Sequence, residues 1–313
     1  MGFVSLRIAL AIAVVAAMFR PTPAEAIYIR HDVALANYAA LAADPLYAAT
    51  GYLRTAGGQF CSGTLVSPTV VLSAAHCFVY QSGPNQGQVA SPSVVMFGVG
   101  ETIEAFANNA ASLVLNPGYN TASPAPDFDM ALLTLSTPIL NVPPAALFAG
   151  DPFGIIATIV GYGGQGTGVS NGLPGAPARL AAQNVVDVAG SVLRYDFDSP
   201  DLDASFYGDA APLPLEGTTA TGDSGGPMYL THGSSAYVVG TLFGGIGNNF
   251  YGDRSFYANV ARQENLQFLL NAGLNVLTSF PETGTPVPEP ATFGLVALGA
   301  FLGARSRRRH QSR

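Results

Sequence analysis

Apolar, β-branched and aromatic residues recur along this chain in short runs broken by glycine and proline. Thr69 to Ser73, Val94 to Val99, Ala111 to Leu115, Met130 to Leu135, Ile155 to Val160, Leu180 to Val188, Val192 to Phe197 and Tyr257 to Val260 predict strands. Between them, Gln81 to Gly87 reads as loop and Gly161 to Pro177 as a glycine-rich surface loop. Thr137 to Pro152, with Pro138, Pro143, Pro144 and Pro152, reads as a crossing between two halves. Helical spacing is confined to Arg262 to Leu270, where Leu266, Leu269 and Leu270 share a face and Asn271 and Gly273 act as stop signals. The pattern predicts an all-β protein of one two-lobed domain or two small ones, closed by a short helix.

The two ends follow another pattern. Arg7, the apolar run Ile8 to Met18 and the small-residue site Ala24-Glu25-Ala26 predict a secretory leader over 1–26, with the mature chain starting at Ile27; a retained anchor or a different cut is the alternative. At the other end, a linker over 274–290 leads to Val287-Pro288-Glu289-Pro290, an apolar run from Ala291 to Ala304, and Arg305, Arg307, Arg308 and Arg309. Such a segment would lodge in a membrane with its arginines on the cytoplasmic side. The run is short for a lasting span, which suits a removable signal; a plain C-terminal anchor is the alternative.

Charge narrows the function classes. Residues 27–286 hold six arginines, no lysine and eighteen acids. So acidic a surface argues against nucleic acid and anionic membrane as partners and favours a soluble exported protein. In an exported chain the two cysteines, Cys61 and Cys77, read as a disulfide closing a loop of about 15 residues, with two buried thiols as the alternative. Asp196, Asp198, Asp201 and Asp203, with Asp209 beyond them, read as a solvated loop. Calcium is the alternative, although the run lacks the glycine and terminal glutamate of an EF-hand. No metal and no cofactor is assigned.

Gly222-Asp223-Ser224-Gly225-Gly226-Pro227 is either a plain turn or a turn built to expose a nucleophilic hydroxyl. A serine hydroxyl needs a base within hydrogen-bond reach, and the base works best when a buried carboxylate fixes its tautomer. His76, at the end of the strand Thr69 to Ser73, supplies the base. Asp127 and Asp129 sit two apart and project to opposite faces, so one of them faces the histidine; the apolar run begins directly after Asp129. The order is His, Asp, Ser.

With Cys61-Ser62-Gly63-Thr64-Leu65, Ala74-Ala75-His76-Cys77, Asp129-Met130-Ala131-Leu132-Leu133, Gly161-Tyr162-Gly163 and the Ser224 turn, the chain resembles the trypsin/chymotrypsin-like serine proteases from about Ile27 to Gly273. The resemblance implies two six-stranded antiparallel Greek-key β-barrels, about 27–140 and 153–260, followed by a helix over 261–272, with His76, Asp129 and Ser224 in the cleft between them. It implies acyl transfer on peptide bonds, with the N–H groups of Gly222 and Ser224 holding the oxyanion. It places Thr218 at the base of the primary pocket, with Phe243, Gly244, Gly245 and Ser255 around it. A neutral Thr218 predicts small or medium uncharged side chains, a preference that Asp209 or Asp253 would reverse by reaching in. Either Leu242 or Phe243 stands where the family has a serine supporting the aspartate.

The resemblance further implies that a free Ile27 amine pairs with Asp223, although Tyr28, Ile29 and Arg30 replace the family's Val-Gly-Gly. The C-terminal segment resembles the PEP-CTERM signal, cut by an exosortase in Gram-negative bacteria. The expected partners are a peptide or protein substrate, signal peptidase, an exosortase, and a membrane touched transiently during export; the expected place is outside the cell or on its envelope. An esterase-type acyl hydrolase and a weakly catalytic binding module are the alternatives on the same fold.

Overall fold

The computed structural model describes residues 27–54, 59–100, 108–171, 178–208 and 211–281; the leader, the C-terminal segment and Asp209 lie outside them. The chain opens with β1 (Tyr28–Ile29) and the helix α1 (Leu35–Ala42), an alanine-rich stretch the strand pattern does not announce. β2 (Thr50–Arg54), β3 (Phe60–Ser67), β4 (Val70–Ser73), β5 (Met96–Val99), β6 (Asn108–Leu115) and β7 (Ala131–Leu135) then close an antiparallel barrel in the order β2-β3-β4-β7-β6-β5.

The period-two alternation of β4 and β7 explains how this barrel both fills itself and joins the second lobe. Val71 opposes Leu133, and both enter the barrel's own core with Leu53, Leu65 and Phe97. Leu72 opposes Leu132 on the other face, and these two pack with Met130, Val160, Tyr229 and Val238 in a core shared with the second lobe. The apolar runs of β4 and β7 are therefore continuous because both faces are covered.

The second lobe contains β8 (Ala146–Phe148), β9 (Ile156–Gly161), β10 (Gly166–Thr167), β11 (Ser170–Asn171), β12 (Leu180–Val185), β13 (Val188–Ala189), β14 (Val192–Asp196), β15 (Gly217–Thr218), β16 (Pro227–His232), β17 (Ser235–Ile246) and β18 (Arg254–Asn259), then α2 (Gln263–Asn271) and β19 (Val276–Leu277). Its main sheet runs β12-β9-β16-β17-β18-β14-β13, with β8 against β17 and β19 against β8. The first lobe is thus the closed six-stranded barrel expected. The second is a half-barrel whose open side is spanned by Asn184, which donates from Nδ2 to the carbonyl of Asp196 at 2.6 Å and to that of Gly217 at 3.2 Å. The mostly β architecture with two short helices is the chymotrypsin-like one the sequence predicts.

One segment departs from expectation. Gly161 to Asn171 is not a surface loop: most of it is buried, and β10 and β11 join β1 and β15 in a four-stranded sheet ordered β11-β10-β1-β15. Its glycines serve close approach. A Cβ on Gly166 would stand 2.2 Å from the Tyr28 ring. Residues 172–177 of that predicted loop lie outside the described residues.

Cys61 on β3 and Cys77 beyond β4 form the predicted disulfide, 16 residues apart. Replacing both cysteines with serine is expected to lower the unfolding free energy by about 3 kcal/mol, the loop-closure value for that span, measured by urea unfolding at constant slope.

Candidate active site

β4 and β7 are antiparallel neighbours, and Ser73 opposes Ala131 at the end of their ladder. The residues just after β4 and just before β7 therefore emerge side by side. His76 lies in the turn of 3₁₀ helix Ala75–Phe78, and Asp129 directly follows another, Pro126–Phe128. The Asp129 carboxylate has no exposed surface. Its Oδ1 accepts the His76 backbone N–H at 2.8 Å and its Oδ2 pairs with His76 Nδ1 at 2.6 Å. Asp127 takes the other role, outside the pair, where its carboxylate meets Arg262 at 3.3 Å.

Ser224 approaches from the second lobe. His76 Nε2 lies 3.9 Å from the Cys77 sulfur, which is itself 3.6 Å from the Ser224 carbonyl oxygen, so ring and turn adjoin across the disulfide. Phe243 completes the contact with its ring edge-on to His76 at 5.7 Å. It is the extra residue of a bulge in β17, since Leu242 pairs with Tyr257 and Gly244 with Phe256. Of the two residues read against the family's serine, Leu242 is buried and Phe243 packs on the imidazole, and among the described residues His76 alone donates to Asp129. Phe243 was expected as a wall of the pocket and turns to the histidine instead.

The turn itself sorts its N–H groups into two kinds. Those of Asp223, Gly225 and Gly226 donate to Ala220, Leu242 and Asp223 carbonyls at 3.0, 2.8 and 2.8 Å. Those of Gly222 and Ser224 have no acceptor among the described residues. Gly222 needs to be glycine: its φ is +99°, and a Cβ there would stand 2.9 Å from Gly163 Cα. Two unspent donors beside a half-exposed hydroxyl are what an oxyanion requires.

Beside Ser224 opens a cavity of about 410 Å³, lined by Thr219, Ala220, Thr221, Gly244, Gly245, Gly247, Asn248 and Asn249. Among the described residues, no charged side chain lines it. Thr218 and Ser255 lie one layer behind, where Ser255 Oγ bonds to Thr218 Oγ1 at 3.0 Å and to Thr219 Oγ1 at 2.8 Å. Asp253 does not reach in, because its Oδ2 accepts the N–H groups of Asn248 and Phe250 at 2.6 and 2.9 Å. Thr219, Thr221, Asn248 and Asn249 were not read from the sequence; the first two come from the segment between β15 and the Ser224 turn, the last two from the turn after β17.

Two acids of the second lobe are buried, Asp223 in the Ser224 turn and Glu216 just before β15. Asp223 accepts N–H groups from Ala220 and Gly163, both at 2.7 Å, and from Ile27 at 3.3 Å, yet burial pushes its carboxyl up to about 7. Burial, reinforced by the nearby Asp198 and Asp196, likewise pushes Glu216 up to about 8, against the pull of the Leu213 and Asp198 N–H groups. The acidic stretch is therefore only partly the solvated loop expected: Asp201 and Asp203 are exposed, whereas Asp196 and Glu216 are buried and cap backbone N–H groups. Among the described residues, Cys61, His76 and Cys77 are the one group of metal-ligand types close enough to share an ion, and the disulfide uses both sulfurs.

The trypsin family model matches residues 42–266, and the PEP-CTERM protein-sorting motif matches residues 286–309. A protein named trypsin from Saccharopolyspora erythraea is 31% identical over 230 residues, covering 69% of this chain and 89% of the relative. Transmembrane protease serine 9 of Rattus norvegicus is 28% identical over 221 residues, covering 67% of this chain and 19% of that protein. Inactive CLIP domain-containing serine protease A3 of Aedes aegypti is 28% identical over 219 residues, with coverage of 64% and 43%.

Because Glu216 holds its proton more tightly when folded, its contribution to stability is complete below about pH 4.5 and is lost as pH rises through about 8. The melting temperature is expected to fall across that window, and to fall less in Glu216→Gln, by differential scanning calorimetry.

Proposed function

We propose, on the premise that this chain belongs to the trypsin family, that it is an exported serine endopeptidase working through an acyl-enzyme on Ser224. His76 takes the Ser224 proton as the hydroxyl attacks the peptide carbonyl, then gives it to the leaving amine. Asp129 fixes the ring with Nδ1 protonated and stabilises the imidazolium. The N–H groups of Gly222 and Ser224 receive the oxyanion. Water then repeats the sequence on the acyl-enzyme. The observation that carries this reading is the 2.6 Å bond from a wholly buried Asp129 to His76 Nδ1, which leaves Nε2 on the side of the Ser224 turn. Family membership alone does not decide catalysis, since one relative is named inactive. The residues at 76, 129 and 224 do bear on it.

The cavity beside Ser224 supports a preference for small or medium uncharged side chains. Its walls offer hydroxyl, amide and backbone groups, and among the described residues that line it none carries a charge to pair with a lysine or arginine. Behind them, burial pushes Tyr195 up to about 12 against the pull of the Ser255, Tyr257, Thr219 and Thr218 hydroxyls, so that phenol stays neutral.

The N-terminus supports release by signal peptidase alone. Ile27 is fully buried, and its nitrogen lies 3.3 Å from Asp223 Oδ2. In the continuous chain its φ is +61°, a strained value for a β-branched residue that a cut before Ile27 would relax. An ammonium there would also supply the positive charge that the Asp223 carboxylate lacks. The PEP-CTERM motif at 286–309 marks the chain for sorting through an exosortase to the envelope or surface of a Gram-negative bacterium.

A fluorophosphonate probe is expected to label the wild-type chain and to spare Ser224→Ala, while Asp129→Asn loses on the order of 10⁴-fold in kcat, the loss known for this kind of triad. Labelling that persists in Ser224→Ala would refute the assignment. Chain beginning at Ile27 is expected to keep its turnover above about pH 7, where chain with Ala26 still attached loses activity as Asp223 ionises without a counter-charge. Matching pH–rate profiles of the two, with their first residues checked by mass spectrometry, would remove the role given to the amine.

A further inference from the structure

We infer that Ser62, on β3 of the first lobe, is a positioning residue that holds the Gly222 and Ser224 donors toward the oxyanion; this rests on the acyl-transfer reading above. Ser62 meets the nucleophile turn at two carbonyls. Its Oγ donates to the Gly222 oxygen at 3.2 Å, and its N–H donates to the Ser224 oxygen at 2.8 Å. The residue is itself held from two sides. The Tyr162 N–H donates to Ser62 Oγ at 3.1 Å, and Ser73 Oγ donates to the Ser62 carbonyl at 2.8 Å. Ser62 has no exposed surface.

A peptide unit is planar, so fixing its carbonyl fixes the direction of its N–H. The Thr221 carbonyl accepts Gly164 N–H, and the Asp223 carbonyl accepts Gly226 N–H, both at 2.8 Å. Those two bonds orient the peptides that carry the Gly222 and Ser224 N–H groups. Between them lies the Gly222–Asp223 peptide, and Ser62 Oγ is the group that holds its carbonyl. Gly222, at φ +99°, imposes no side-chain barrier to rotation there. Without the Ser62 hydroxyl the Gly222 carbonyl loses its donor in a buried site, and the peptide is held only by its own Asp223 N–H on the Ala220 carbonyl at 3.0 Å, which loosens the alignment of the neighbouring donors. The backbone bond from Ser62 is kept on substitution by alanine or cysteine, so the side chain can be tested apart from the strand.

The test compares two ligands on wild type and Ser62→Ala: a peptide aldehyde, which forms a tetrahedral oxyanion with Ser224, and the corresponding peptide alcohol, which does not. The expected result is a loss of about tenfold in aldehyde affinity and in kcat, with alcohol affinity and KM within about twofold of wild type. Ser62→Cys, which keeps a weak donor, is expected to fall between the two and carries the comparison if Ser62→Ala does not fold. Equal losses for both ligands would assign Ser62 a general structural role and overturn the inference, as would no loss for either. Fluorophosphonate labelling separates the two levels. A wild-type chain that is not labelled brings down the acyl-transfer reading together with this inference, whereas a labelled wild type with an indistinguishable Ser62→Ala brings down the inference alone.

Discussion

The arrangement depends on a carboxylate wholly removed from water whose two oxygens are taken by two N–H groups of a single residue. Burying the Asp129 charge is costly unless donors meet it, and here they are the backbone and the ring of His76. Because one residue supplies both, the ring is fixed relative to its own backbone, and the backbone is fixed by the ladder between β4 and β7. Register in that ladder thus sets the imidazole. A slip of one residue would exchange Leu132 and Leu133 between the two cores and carry Asp129 away with them. The packing of two apolar faces and the geometry of a hydrogen-bonded pair are enforced by the same pairing.

The second lobe meets that fixed ring with few direct bonds and much shape. Phe243 lies edge-on to the imidazole, and the disulfide sulfur of Cys77 sits between His76 and the Ser224 carbonyl. Across the lobes, Tyr162 OH donates to the Thr50 carbonyl at 3.1 Å, and Thr50 Oγ1 bonds to Tyr229 OH at 3.0 Å. Tyr162 and Tyr229 thus end in hydroxyls that find partners on the opposite lobe, so in these two side chains apolar burial and polar satisfaction coincide.

Much of this was legible in the amino-acid order, for reasons that differ by element. Strands such as Met130 to Leu135 and Val192 to Phe197 announce themselves because both the run and its boundaries are local. The Ser224 turn was legible because glycine is required where φ is positive and backbone must pass close to backbone. What was not legible depends on partners far along the chain. Gly161 to Asn171 has the composition of a loop, and it is buried only because β1, about 140 residues earlier, lies down beside β10. The helix α1 was missed for a related reason. Tyr38 and Ala42 are its buried positions, and Tyr38 reaches the Glu216 carbonyl at 2.9 Å, a contact no local pattern reveals. The bulge at Phe243 was beyond reach because nothing local marks an extra residue in so long a strand, and with it went the side of the cavity formed after β17.

The burial of Ile27 has a chemical corollary when combined with the absence of lysine from the whole chain. In protein cut before Ile27 the terminal nitrogen is the sole primary amine, and it is enclosed against Asp223. Folded protein of that form offers no handle to acylating dyes, aldehyde fixatives or amine-coupled resins, and it gains one only on unfolding. Uptake of such a reagent would then serve as a readout of how often the N-terminal strand leaves its place between β10 and β15.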